Sequence, residues 1–168
     1  MYLIGFDIGS SSVKASLIEA HTSATLARVQ SPEKEMGIFA AQAGWAEQDP
    51  EMWWEHCCLA AKKLIQKSAI EPSKIAAIGI SYQMHGLVLV GTEGQVLRPS
   101  IIWCDSRAVE IGHTALQALG EAYCLEHCLN APGNFTASKL KWVKDQEPAI
   151  FEKIWKLMLP GDYIAFRM

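Results

Sequence analysis

An apolar stretch that breaks on one glycine and three serines, then resumes in alternation, constrains this chain more than any other feature in it. Tyr2 to Ile8 reads as a buried strand, Gly9-Ser10-Ser11-Ser12 interrupts it, and Val13, Ala15 and Leu17 then alternate with Lys14, Ser16, Ile18 and Glu19. Alternation with a period of two marks a strand, so the segment is a β-hairpin. The dinucleotide fingerprint and the Walker-type loop both need a helix after their glycines, and neither fits here. What this turn offers is backbone N–H groups and three hydroxyls, with the Asp7 carboxylate at one edge and the Lys14 ammonium at the other, a setting for a polyphosphate.

A second apolar run leads into polar residues in the same way. Ile75 to Ser81 is rich in isoleucine and lacks polar alternation, the pattern of a strand covered on both faces. It delivers Gln83-Met84-His85-Gly86 to its carboxyl end, where open α/β sheets place their ligands. Leu87 to Val90, a turn at Glu93-Gly94 and Val96 to Trp103 predict further pairing. Ala24 to Gln30 predicts a third strand after the hairpin, and Ser31 to Gly44, with Pro32 and Gly37, reads as a loop. Asp49-Pro50 announces a helix, since Asp caps an orphan N–H and proline at the first position has none to lose. Trp54, Cys57, Cys58, Ala61, Leu64 and Ile65 form its expected apolar stripe to about Lys67. Helical patterns return from Arg107 to His127 and from Ala137 to Lys144.

Bulk properties exclude several function classes. A formal charge of −3 with scattered Lys and Arg leaves no basic stripe for nucleic acid. No run approaches the ~18–20 apolar residues of a membrane span, and Met1 to Gly5 lacks the positive region of a signal peptide, so a cytoplasmic location is expected. The five cysteines form no Cys-x-x-Cys knuckle. Cys124, His127 and Cys128 suit a metal on paper, but free cysteines are commonly buried as small hydrophobes, and reduced thiols are expected.

Asp7-x-Gly9-Ser10-Ser11-Ser12-x-Lys14 resembles the opening phosphate hairpin of the sugar kinase, actin and heat-shock chaperone ATPase superfamily. Gln83-Met84-His85-Gly86, Trp103-x-Asp105-x-Arg107 and Phe135-Thr136-Ala137-Ser138-Lys139-Leu140-Lys141-Trp142 narrow the resemblance to the carbohydrate kinases of glycerol, gluconate, ribulose and xylulose. The Gln-Met-His-Gly run is most similar to the xylulose-type members. Trp45-Ala46-Glu47-Gln48-Asp49-Pro50 and Leu159-Pro160-Gly161-Asp162-Tyr163 extend the similarity from Tyr2 to Met168. The resemblance implies an α/β fold with a ribonuclease H-like (actin-like ATPase) core: a mixed sheet, an initial antiparallel hairpin and flanking helices. It implies an ATP-dependent sugar kinase using Mg²⁺, with a ketopentose, foremost D-xylulose, as acceptor. Gluconate or another sugar is the rival substrate, and a ligand-binding module without turnover is the rival class.

Each implied site residue has a plainer reading beside it. Asp7 either bonds the backbone of its turn or orients the water shell of Mg²⁺, which keeps several waters and takes one or two carboxylates. Gly9, Ser10, Ser11 and Ser12 are turn formers or the phosphate cradle, where glycine permits close approach. Lys14 is a solvated strand residue or a neutraliser of transferring phosphate. Met84 and His85 are packing residues or the sugar pocket, the imidazole donating at one nitrogen and accepting at the other. Trp103 is core or a wall for the C–H face of a sugar, while Asp105 is a helix cap or a hydroxyl ligand steadied by Arg107. Asn134 and Phe135 are secondary candidates.

At 168 residues the chain has the size of one domain, whereas these kinases carry two around a cleft. It is expected to be the N-terminal, sugar-side domain (1–168), incomplete and without the second, nucleotide-binding domain. The general base is an Asp in the resembling kinases, and neither Asp145 nor Asp162 has its context. Sugar and ATP are the expected small-molecule partners. A hydrophobic content of 50% with a mean hydropathy of +0.09 exceeds what one core needs, so a homodimer or the missing C-terminal domain is expected to cover the excess.

Overall fold

A computed structural model describes all residues 1–168. It divides into two compact units, one made of Met1–Gly37, Pro50–Gln83 and Pro160–Met168, the other of Ile38–Asp49 and Met84–Leu159.

The first unit is built on the hairpin. Strands β1 (Tyr2–Ile8) and β2 (Val13–Glu19) pair antiparallel, with Asp7 opposite Lys14 and Ile8 opposite Val13. Strand β3 (Thr25–Ser31) adds to β2, one residue later than the sequence predicts. Period-two alternation sends Ile4, Phe6 and Ile8 of β1 and Val13, Ala15 and Leu17 of β2 inward, all six buried. Helix α1 (Pro50–Ser68) starts directly after Asp49 and lies against β2 and β3. Its buried stripe is Trp53, Cys57, Ala60 and Leu64, not the predicted one through Trp54, Cys58, Ala61 and Ile65. Two adjacent tryptophans satisfy either phase, and packing on the sheet selects Trp53. Burial pushes the Cys57 thiol up to about 12, which makes it a core hydrophobe and not a nucleophile.

Strand β5 (Ile75–Tyr82) runs parallel to β1 and completes the sheet order β3-β2-β1-β5, the mixed sheet expected of an actin-like ATPase core. The expected cover on both faces of β5 is not found: Ala76, Ala77, Ile78 and Gly79 are exposed. An edge strand has a neighbour on one side only, so an apolar sequence here marks a face the chain itself leaves open. Helix α6 (Pro160–Arg167), which no periodicity announced, contacts α1 and β5. Its Arg167 pairs with Glu51 and lies 5.2 Å from the Trp54 ring, which gives the half-buried tryptophan its role.

The second unit has short strands and more helix. Here β4 (Glu47–Gln48) pairs with β7 (Ser100–Ile101), and β6 (Val88–Val90) pairs with β8 (Lys156–Met158). The predicted strand from Val96 to Trp103 shrinks to β7 and a bridge from Val96 to Val90, because Pro99 has no N–H to give a ladder. The long helical pattern breaks at Gly120 into α2 (Val109–Leu119) and α3 (Glu121–Cys128). A 3-10 turn at Pro132–Asn134 precedes α4 (Thr136–Gln146), and α5 (Pro148–Phe151) follows. Leu87, Leu89, Ile101 and Val143 form the core, with Leu97, Leu140 and Trp142 packed around it. No group of three or more His, Cys, Asp or Glu is placed to hold a metal, all five cysteines are free, and no helix is long and apolar enough to cross a membrane.

Candidate active site

Each unit contributes a cluster of the implied residues. In the first, Asp7 is exposed although both its neighbours in β1 are buried, so it bears no burial cost and its carboxylate is open. Residues directly opposite in an antiparallel pair share a face, which puts Lys14, also exposed, beside Asp7 at the hairpin's mouth. The turn is tighter than its sequence suggests. The Gly9 N–H donates to the Ser12 carbonyl at 3.1 Å, so that N–H is engaged within the turn and not available to a phosphate. A Cβ at Gly9 would sit 3.1 Å from that same carbonyl oxygen, a tight contact that the turn would have to give way to accommodate. Ser12 is buried, and the Ser11 carbonyl accepts from the Met36 N–H at 2.8 Å. Of the three serines, Ser11 is exposed and Ser10 half-buried. One open carboxylate beside a cation suits Mg²⁺ held through water and substrate phosphates, the usual arrangement for that ion, and does not suit a closed protein cage.

In the second unit, ladder geometry brings the other cluster together. Leu87 bridges Ile101 antiparallel, and His85 and Trp103 lie in the turns that flank this bridge, His85 just before Leu87 and Trp103 just after Ile101. Consecutive residues of one turn then touch both. Asn134 donates its Nδ2 to the Trp103 carbonyl, and the Phe135 ring stacks on the His85 imidazole at 5.3 Å and 19°. The turn is held by close backbone approach: a Cβ on Gly112 of α2 would fall 2.2 Å from the Gly133 Cα, so only glycine lets α2 reach it. Met84 is 63% and Trp103 49% exposed, apolar surface beside a histidine. Burial, with the nearby Lys139 charge adding to it, lowers the His85 pKa from its ordinary value, which keeps the imidazole neutral at pH 7.

Asp105 does not join that surface. Its side chain is fully buried. Its Oδ2 accepts from the Ala46 N–H at 2.6 Å and from Arg107 Nη2 at 2.7 Å, and its Oδ1 from the Arg107 N–H at 2.9 Å. The reading of Asp105 as a hydroxyl ligand therefore gives way to a supporting one: every lone pair that could meet a sugar is taken up in fixing the Trp103 turn to the Ala46 strand. Arg107 continues the network, lying 2.7 Å from Glu47 Oε1 and 3.8 Å from the Trp45 ring centroid. Arg98 reaches Glu47 and, at 3.2 Å, Glu147.

Lys139 is the residue that sequence reasoning missed. It lies inside the quoted Phe135-to-Trp142 run yet reads as an ordinary helix lysine there. In the structure it is 0% exposed, and its Nζ donates to the His85 carbonyl at 2.8 Å. Burial pushes its pKa down to about 8 against the opposing pull of Asp105. The available signal was its place in the first turn of the helix that Phe135 caps.

Residues 2–168 match the N-terminal domain of the FGGY family of carbohydrate kinases. The chain belongs to that family. It is 37% identical over 166 residues to the xylulose kinase of Escherichia coli K12, covering 98% of itself and 33% of that protein. The crystal structure of a gluconate kinase from Lactobacillus acidophilus matches with a TM-score of 0.86 at 29% identity, over 99% of this chain and 33% of that one. A xylulose kinase from Rhodospirillum rubrum matches with the same TM-score at 26% identity and the same coverage. The chain thus spans about a third of the length of the curated relatives it matches. The resemblance to carbohydrate kinases read from its motifs is correct, and so is the fold class that followed from it.

Proposed function

We propose that this FGGY domain supplies the sugar pocket and the phosphate hairpin of an ATP-dependent kinase that transfers the γ-phosphoryl group to a hydroxyl of a ketopentose, D-xylulose first among them. The observation that supports this reading is that consecutive residues of one turn hold both stretches of chain, Asn134 bonding the Trp103 carbonyl and Phe135 stacking on His85, with the side chains of Met84 and Trp103 exposed. An exposed indole and thioether offer an apolar wall to C–H groups, and a neutral imidazole offers one donor and one acceptor to vicinal hydroxyls. Asp7 and Lys14, with Ser10 and Ser11, serve the phosphates, and Asp7 is the residue that would hold Mg²⁺. Bound Mg²⁺ would neutralise charge that develops on the phosphates. The base that activates the sugar hydroxyl is assigned outside these residues: Asp145 is ion-paired with Lys141 on α4, and Asp162 sits in the first turn of α6.

Charge favours a neutral ketose over a sugar acid. The cations of the second cluster, Lys139, Arg98 and Arg107, all have buried side chains engaged with protein groups, so none is presented to a carboxylate. Calorimetric titration of the chain with xylulose, gluconate and MgATP tests this order. Tighter binding of gluconate than xylulose would overturn the substrate assignment, and xylulose binding without turnover fits a domain that lacks the base.

His85→Ala is expected to weaken xylulose binding by about 1–3 kcal/mol, the loss of one or two hydrogen bonds, and to leave MgATP affinity unchanged. An unaltered xylulose Kd in that variant removes His85 from the pocket. Binding should also depend on pH in one direction only. The folded state holds the His85 pKa below the ordinary value, so affinity stays flat from pH 7.5 to 7 and falls only as pH drops below about 6.5, where protonation removes the acceptor. Stability follows the same sign: the unfolded chain binds that proton first, so this group's contribution is lost as pH falls through the window. Calorimetry across pH 5.5–7.5 checks the affinity, and a rise in affinity on acidification would contradict the neutral-imidazole reading.

A further inference from the structure

Lysine is almost never fully buried unless it is paired, yet Lys139 is covered completely. Three cations and three carboxylates make up the charge cluster around it: Arg98, Arg107 and Lys139 against Glu47, Asp105 and Glu147. The Lys139 ammonium reaches out of this cluster to a neutral acceptor, the His85 carbonyl, at 2.8 Å. His85 itself has a φ of 61°. A non-glycine residue stays in that left-handed region only where its surroundings hold it there.

One helical turn supplies the hold. The Lys139 N–H donates to the carbonyl of Phe135, the N-cap residue of α4, at 3.2 Å, which ties both residues to the first turn of that helix. The Phe135 ring stacks on the imidazole while the Lys139 ammonium grips the carbonyl of the same residue. Side chain and backbone of His85 are thus clamped by one rigid element. We propose that Lys139 is a positioning residue for the sugar pocket: by donating to the His85 carbonyl it fixes the left-handed Met84-His85-Gly86 turn and with it the direction of the imidazole. The inference rests on the assignment of His85 to that pocket. A methionine would fill the same volume without the desolvation cost of a buried charge, so what the ammonium adds is a directed donor. The depression of its pKa to about 8 records how far burial opposes keeping it there.

Lys139→Met and Arg98→Met separate positioning from packing. Each removes one cation from the same cluster, but only the first frees the His85 carbonyl. Two readouts are taken on the 168-residue chain: xylulose affinity by calorimetry, and the His85 ring resonances, which the stacked Phe135 shifts upfield. Lys139→Met is expected to weaken xylulose binding at least tenfold and erase the ring-current shift, while Arg98→Met stays within about threefold and keeps it. Equal losses in both variants, or none in either, overturn the proposal. If the unaltered chain binds no xylulose, the pocket assignment fails, and the ring-current readout alone still decides whether Lys139 orients His85. If Lys139→Met does not fold, Lys139→Arg restores the charge with a planar head that places its donors elsewhere. A displaced His85 resonance in a folded Lys139→Arg chain supports positioning, and an unmoved one overturns it.

Discussion

Glu47→Ala is expected to destabilise the second unit by about 3–5 kcal/mol, the cost of stripping one partner from a buried ion pair. Glu47 pairs with two guanidiniums at once, those of Arg98 and Arg107, and all three side chains are less than 10% exposed. Its loss leaves the cluster with three cations and two carboxylates, of which Asp105 is saturated by Arg107 and the Ala46 N–H, and Glu147 faces Arg98 alone, so Arg107 keeps only Asp105. Set against a typical domain stability of about 5–15 kcal/mol, this is a large fraction. The measurement that reads it by unit is native-state hydrogen exchange. Amides of β6, β7 and α4 should exchange roughly 10²–10⁴ times faster, the same free energy expressed as an opening constant. Unchanged exchange in those elements would mean that the cluster contributes little and that the apolar core of Leu87, Leu89, Ile101 and Val143 holds the unit without it.

That cluster also shows where sequence reading stops. The hairpin was legible because a period of two reports burial directly, and β1 and β2 fall on the expected residues; the mixed sheet came from the family resemblance, and its order from the structure. The helix after Asp49 was legible in extent but not in phase, since Trp53 and Trp54 are equally apolar and only the sheet beneath chooses between them. Strand β5 was placed correctly and misjudged in environment: a continuous apolar run states that a strand prefers cover, not that its own chain supplies it. Glu47, Arg98 and Glu147 span a hundred positions of sequence with no local pattern and each alone reads as a solvated charge, so of this cluster only the Asp105–Arg107 pair was legible. Lys139 was hidden in the same way. Its function in the fold comes from the His85 carbonyl, a backbone atom that no side-chain motif can announce. Met84, His85 and Trp103 lie in surface turns, as their positions after apolar runs suggest, whereas the Trp-x-Asp-x-Arg spacing at Asp105 encodes an internal pair instead of an outward ligand.

Asp7 and Asp105 are both implied site carboxylates, and their burial assigns them opposite fates. Asp7→Asn is expected to lower kcat by about 10²–10³-fold in an active kinase carrying this domain, comparable to removing one preorganised electrostatic contact to a transition state. Its effect on stability should be slight. Asp7 is exposed, and its cross-strand neighbour is Lys14, a pairing worth roughly 0.2–1 kcal/mol at most. The amide preserves size and hydrogen bonding, so the fold loses only that charge pair, whereas the hairpin loses the carboxylate that would hold the water shell of Mg²⁺. The two explanations of Asp7, turn former and metal organiser, therefore diverge by several kcal/mol in opposite observables. Steady-state kinetics with xylulose and MgATP, run beside a thermal melt of the same variant, reads both. A kcat within threefold of the unaltered enzyme together with a clearly lowered melting temperature would make Asp7 a structural residue. A collapsed kcat with an unmoved melt, partly restored by raising the Mg²⁺ concentration, would identify it as the group through which this domain meets the metal.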